Sequence, residues 1–238
     1  MYRTLDSRRV LVTAERLAQR VGERFPGSGL SNVARELVEV ARESEERVRH
    51  VRRPHWPARV GAGLGVLVMV SVAVAALATF RVPSVVAELT VVLETLETVI
   101  NDLVFLGLAV FFLVTLESRL KRRDAIAALH ELRSLVHIID MHQLTKDPER
   151  VLGPAKDTPS SPVRRLTRFE LARYLDYCSE MLSITSKLAA LHGQEVNDPV
   201  VLAAVNDVEQ LADGLSSKIW QKIMILDTVA VTEGSIVS

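Results

Sequence analysis

Apolar residues recur along this chain in distinct rhythms, and each predicts a different element. In residues 6–24, Leu11, Ala14, Leu17, Ala18 and Val21 return at three- and four-residue steps. Val33, Leu37, Ala41, Val48 and Val51 do the same in residues 30–53. That spacing gives each of two helices one apolar face. The segment FPGSG at 25–29 is the turn between them, and Ser31 is the expected N-cap of the second helix.

From Val60 to Phe80 the rhythm disappears. The run VGAGLGVLVMVSVAVAALATF carries no charge, and at about 1.5 Å per residue it covers roughly 30 Å, the thickness of a hydrocarbon core. A first membrane span is expected there. A second is expected at Val99–Leu116. Its uncharged part, Leu103–Leu116, is short, so Asn101 and Asp102 belong at one interface and Glu117 at the other. Between the spans, Leu89, Leu93, Leu96, Ile100 and Leu103 keep a coiled-coil-like period with Glu88, Glu94 and Glu97 among them. No proline or glycine separates this pattern from the second span. One helix from about Pro83 to Gln143 is expected, with Gly107 its one candidate interruption. The alternative is a short amphipathic helix lying on the outer surface.

Beyond residue 119 the helical pattern continues through KRRDAIAALHELRSLVHIIDMHQL. It then breaks over 145–166, where Pro148, Pro154, Pro159 and Pro162 mark a linker. Thr167 and Glu170 have capping-box spacing. They open a helix to about Leu191 with Leu171, Leu175, Cys178, Leu182 and Ala189 on its core stripe. Asp198-Pro199 is a second start. Val201, Ala204, Val208, Leu211, Leu215, Ile219, Ile223 and Leu226 follow it on one side. These last two helices should pack on each other.

The expected fold class is therefore an all-α membrane protein: two transmembrane helices in a hairpin plus a cytoplasmic helical bundle, with a long helix through the second span. Residues 1–56 form an N-terminal helical hairpin. Residues 57–118 form the membrane hairpin with an acidic external segment at 81–101. Residues 119–238 form the C-terminal helical domain.

Charge sets the expected orientation. Arg47, Arg49, Arg52, Arg53 and Arg59 precede the first span, and Arg119, Lys121, Arg122 and Arg123 follow the second. The connecting segment holds Arg81 against Glu88, Glu94, Glu97 and Asp102. Lysine and arginine prefer the cytoplasmic side, so both termini are expected in the cytoplasm of a bacterium, with the chain multi-pass in the inner membrane. Residues 1–25 are too charged for a secretory signal. Lys+Arg and Asp+Glu both number 29, a balance that excludes a general nucleic-acid binder. The one cysteine, Cys178, excludes an internal disulfide framework.

Chemistry is sparse. No phosphate loop, CxxC, HExxH or GxSxG occurs. No catalytic or cofactor-binding residues stand out, and the chain is read as a non-enzyme without a cofactor. Cys178, on an apolar stripe, reads as a structural thiol. The densest polar cluster holds His137, Asp140, Met141 and His142, weak metal candidates that need ligands from another helix. His137 is also a pH-responsive candidate. Glu94, Glu97 and Asp102 are candidates for an acidic pore mouth. Gly61 and Gly65 form a GxxxG pair, and Ser71 and Ala75 extend it as a close helix-packing face.

The stretches ALHELRSLVHIIDMHQLTKDP, RFELARYLDYCSEMLSITSKLAALHG and SKIWQKIMILD resemble a widespread group of bacterial two-span inner-membrane proteins to which no activity is attached. The likeness covers roughly Arg119–Asp227, with a weaker one at FPGSGL, and implies an inner-membrane setting. The leading expectation is a non-enzymatic, oligomeric integral membrane protein whose cytoplasmic bundle organises a protein partner, with membrane lipid and its own copies as further partners. The alternatives are a small oligomeric ion channel with an acidic outer mouth and a metal- or pH-responsive membrane sensor.

Overall fold

The computed structural model describes residues 4–51, 56–79, 89–148 and 166–236. Among these the secondary structure is helical throughout: α1 (Ser7–Arg24), α2 (Gly29–Val51), α3 (Trp56–Thr79), α4 (Leu89–Leu144), α5 (Arg168–Glu195) and α6 (Pro199–Ile236). The chain divides into two compact units. One comprises Met1–Arg52 with Asp124–Ser238, and the other Arg53–Arg123.

In the first unit the predicted starts are built largely as the sequence dictates. Asp6 caps α1, its side chain accepting the N–H groups of Arg8 and Arg9. Thr167 and Glu170 form the complete reciprocal capping box of α5. The Asp198 carboxylate accepts the Val200 N–H at 2.9 Å at the head of α6. One cap is corrected. Ser28, rather than Ser31, receives the amide, its Oγ accepting the Ser31 N–H at 3.2 Å, while Ser31 itself is buried. The α1–α2 turn needs a left-handed residue, and Gly27, at φ 66°, supplies it without a Cβ clash.

The core gathers the expected stripes. Leu17 and Val21 of α1, Leu30 and Leu37 of α2, Leu132 and Ile139 of α4, Leu175 and Leu182 of α5, and Val201 and Ile219 of α6 are all buried in one cluster. The α5–α6 pair makes the most extensive helix–helix contact, as expected of neighbours joined by a three-residue connection, and α5 also packs on α1 and α2. Ion pairs join helices on the outside: Arg20 of α1 to Glu180 of α5, and Arg47 of α2 to Glu131 of α4. Most of the expected linker at 145–166 lies outside the described residues.

In the second unit α3 approaches α4 at Gly65. A Cβ on Gly65 would stand 2.9 Å from Val110 Cγ2, so the glycine lets the two backbones approach. The continuous helix expected through Gly107 is present from Leu89 to Leu144 with no interruption, and the expected start at Pro83 lies outside the described residues.

The membrane reading is corrected. Among the described residues, no helix is long and apolar enough to cross a membrane. The expected span at Val60–Phe80 runs past the described residues at Phe80. In α4 the uncharged stretch Leu103–Leu116 is bounded by Asp102 and Glu117 and covers roughly 21 Å. The transmembrane hairpin and the multi-pass inner-membrane placement, with the orientation of the termini that depended on it, are therefore withdrawn. What stands is an all-α fold with a helical bundle.

Candidate functional site

The polar cluster predicted on α4 is split by the helix. Residues 137 and 141 share one face and 139 and 143 another, as a 3.6-residue turn requires. His137 is exposed and Met141 is 68% exposed, while Asp140 and His142 are half-buried. The four metal candidates therefore do not converge. Among the described residues no group of three or more His, Cys, Asp or Glu side chains is placed to hold a metal ion.

What the inner face builds instead is a tie between helices. Gln143, only 2% exposed, occupies the position on α4 that continues the stripe of Leu132, Val136 and Ile139. Lys222 of α6 donates from Nζ to the Gln143 carbonyl at 2.9 Å and to its side-chain Oε1 at 2.7 Å. Gln143 Nε2 in turn donates to Asp140 Oδ1 at 2.6 Å. A cation thus satisfies the open carbonyl end of α4, where the helix dipole is negative. Burial lowers the Lys222 pKa, and the carboxylates of Asp147 and Asp140, with a smaller contribution from the Cys178 thiol, partly restore it.

Beside this tie, the His142 ring covers Gly29 at the start of α2, where an added Cβ would come 2.5 Å from Cε1. His142 Nδ1 lies 3.4 Å from Tyr174 Oη. The Tyr174 ring takes the Lys146 ammonium on one face at 5.0 Å and Phe25 edge-on at 5.5 Å. The α1–α2 turn, the end of α4, the start of α5 and the middle of α6 all meet here.

The electrostatics oppose catalysis by these groups. Burial pushes the Cys178 thiol up to about 12, so at neutral pH it is neither a nucleophile nor a metal ligand. Burial also raises the Tyr174 phenol. Burial, followed by the nearby Lys146 charge, lowers the His142 pKa. Among the residues described in this cluster, no activated nucleophile sits beside a base. The cluster is built to hold four chain segments together.

Two other predictions fare differently. Glu97 and Asp102 are exposed on α4, while the side chain of Glu94 lies outside the described residues. An acidic pore mouth presupposes crossing helices, which the described residues do not contain. Of the small-residue face, Gly65 touches α4 and Gly61 is half-buried. Ser71 and Ala75 are exposed, with Ser71 Oγ donating to the Leu67 carbonyl at 2.8 Å.

The Gln143–Lys222 tie was not foreseen. Its signal was nevertheless present: a polar residue at a core phase on each of two stripes. Compared with known proteins, the chain matches no family model, no curated protein and no solved structure.

Proposed function

We propose that the protein is a non-enzymatic helical interaction module. Its copies associate through the apolar sides of α3 and of residues 93–112 in α4, and its bundle unit presents a surface to a protein partner. One observation carries this reading: large apolar side chains in the second unit face outward instead of inward. Leu64, Leu67, Val74, Val104, Phe105 and Phe111 are each more than half exposed. Together with their neighbours they offer apolar surface on the order of 1,000 Å², whereas monomeric proteins in water rarely leave more than a few hundred Å² in one patch. Covering that much surface is worth on the order of 25 kcal/mol before the costs of association. The non-enzymatic part is supported by the withheld thiol and phenol at the polar cluster.

The test is the mass of the full chain by light scattering in lipid-free buffer, for the native protein and for a Phe105→Glu, Phe111→Glu double substitution. The expected result is a discrete oligomer that dissociates when the two charges are introduced. A monodisperse native monomer at tens of micromolar would overturn the reading.

A further inference from the structure

Away from the tie at Lys222, the bundle unit buries a histidine near the end of α5. His192 lies in the last turn of α5 and is 5% exposed. Its Nε2 is buried and has no hydrogen-bond partner among the described residues. It looks into a small recess lined by Arg47 and Val48 of α2, Asp124 and Ala125 of α4, and Glu195 and Val196 at the end of its own helix. Across the recess Arg47 bridges to Glu131 with two hydrogen bonds, at 2.8 and 3.3 Å, and also to Glu43 at 3.0 Å. An imidazole whose Nε2 is unpartnered therefore sits beside the ion pair that ties α2 to α4.

We propose that His192 is a proton-operated latch of this unit: the neutral ring fits the closed Arg47–Glu131 bridge, and the imidazolium loosens it. This inference goes beyond the interaction-module reading and does not depend on it. The step is a simple protonation by water at a ring nitrogen. The new charge lies in a low-dielectric recess. It repels Arg47, and it turns Nε2 into a donor that competes for the Glu131 carboxylate. Every charged group facing the recess then matters: Arg47 and its partner Glu43 from α2, Asp124 and Glu131 from α4, and Glu195 from α5. The side chains of α6 beside neighbouring Gly193 are Val205 and Leu202, both apolar. The N-terminal segment contributes Leu5, whose N–H donates to Gln194 Oε1 at 3.0 Å. The charges that act most on the ring are those of Arg47 and Glu131.

A histidine in the last turn of a helix ordinarily gains a proton more readily, because the helix dipole is negative there. Burial overrides that here. Together with repulsion by Arg47, and against the attraction of Glu131, it lowers His192 to about 4. The sign follows from linkage. A base whose closed-state pKa lies below its open value of about 6.5 keeps the closed form intact above that value. It weakens the closed form progressively as pH falls toward 4. With these two values the opening equilibrium rises roughly 25-fold between pH 7.5 and pH 5.

The experiment follows the His192 ring-proton resonance of the full chain between pH 7.5 and 4, assigned with a His192→Gln variant, alongside hydrogen exchange at the α2 amides near Ser44–Val48. The expected result is a midpoint well below 6.5 and a roughly 25-fold rise in α2 exchange between pH 7.5 and pH 5, absent in His192→Gln. Arg47→Gln should move the midpoint up and Glu131→Gln should move it down. A His192 midpoint near 6.5 in the unsubstituted chain would overturn the latch, as would an undiminished acid rise in His192→Gln.

Discussion

Removing the cation that closes α4 should be costly, and removing its partner as well should recover much of the loss. In Lys222→Met the methylene stem is largely replaced, but Gln143 loses the donor at its Oε1 and one of the two at its carbonyl, which keeps the Lys146 N–H at 3.1 Å. Gln143 is only 2% exposed, so water cannot readily take over. A hydrogen bond to a charged group contributes about 1.5–3 kcal/mol, and an orphaned buried acceptor costs about 1–3 kcal/mol. Against this stands the desolvation of the ammonium itself, visible as the lowered Lys222 pKa. The net expectation is a loss of about 2 kcal/mol. With a urea slope of about 2 kcal/mol per molar, the midpoint of the bundle unit should fall by about 1 M. In Lys222→Met with Gln143→Leu both polar partners become apolar groups of similar shape. Such paired replacements are often nearly neutral, so the double variant should lose less than the single one, with a coupling energy of about 1 kcal/mol or more. Urea unfolding of the four proteins of this cycle, followed by far-ultraviolet circular dichroism, measures it. Additive losses, or a single variant as stable as the parent, would refute the view that this tie is an energetic unit.

Three further outcomes follow from neighbouring features. Gly29→Ala forces the His142 ring to move by about 1 Å to reach ordinary contact distance. It should destabilise by about 1 kcal/mol and become neutral or slightly stabilising in a His142→Ala background, as thermal melts would show. The Cys178 thiol, buried and pushed up to about 12, should resist alkylation by iodoacetamide at pH 8 in the native protein and react fully in denaturant; rapid native labelling would contradict its placement. Gly65→Val brings branched carbon against Val110. It should separate α3 from α4, and crosslinking between cysteines introduced at Met69 and Leu106 should fall several-fold.

Much of the bundle was legible because its signals are local. Apolar periodicity placed α1, α2, α5 and α6, and the side-chain chemistry of Asp198 and of the Thr167–Glu170 pair fixed two starts. The Ser28 cap was misassigned to Ser31 because both hydroxyls lie within a turn of the helix start, and only backbone geometry distinguishes them. The convergence of His137, Asp140, Met141 and His142 failed for a reason already present in the spacing. Residues 137 and 141 share a face that 143 does not, and the core stripe through Ile139 shows which face turns inward. The Lys222–Gln143 bond joins residues 79 apart in sequence, and no periodicity links two helices at that distance. His192 escaped notice for the opposite reason: a histidine on an apolar stripe resembles any other core residue until its unpaired nitrogen is located. The reading of Val60–Phe80 as a span rested on hydropathy alone, and that does not survive among the described residues.

The bundle unit is assembled from two pieces of chain, Met1–Arg52 and Asp124–Ser238, and this has a consequence for synthesis. The α1–α2 hairpin leaves the ribosome first, yet Arg20 waits for Glu180 and Leu5 for Gln194. At about 5–20 residues per second that interval is on the order of 10 s. Throughout it the inward faces of Leu17, Leu30 and Leu37 have only each other for cover while the apolar α3 emerges beside them. Closure is therefore timed by the last helices, and a truncation that removes α6 should leave the earlier segments exposed to chaperones and proteases rather than merely less stable.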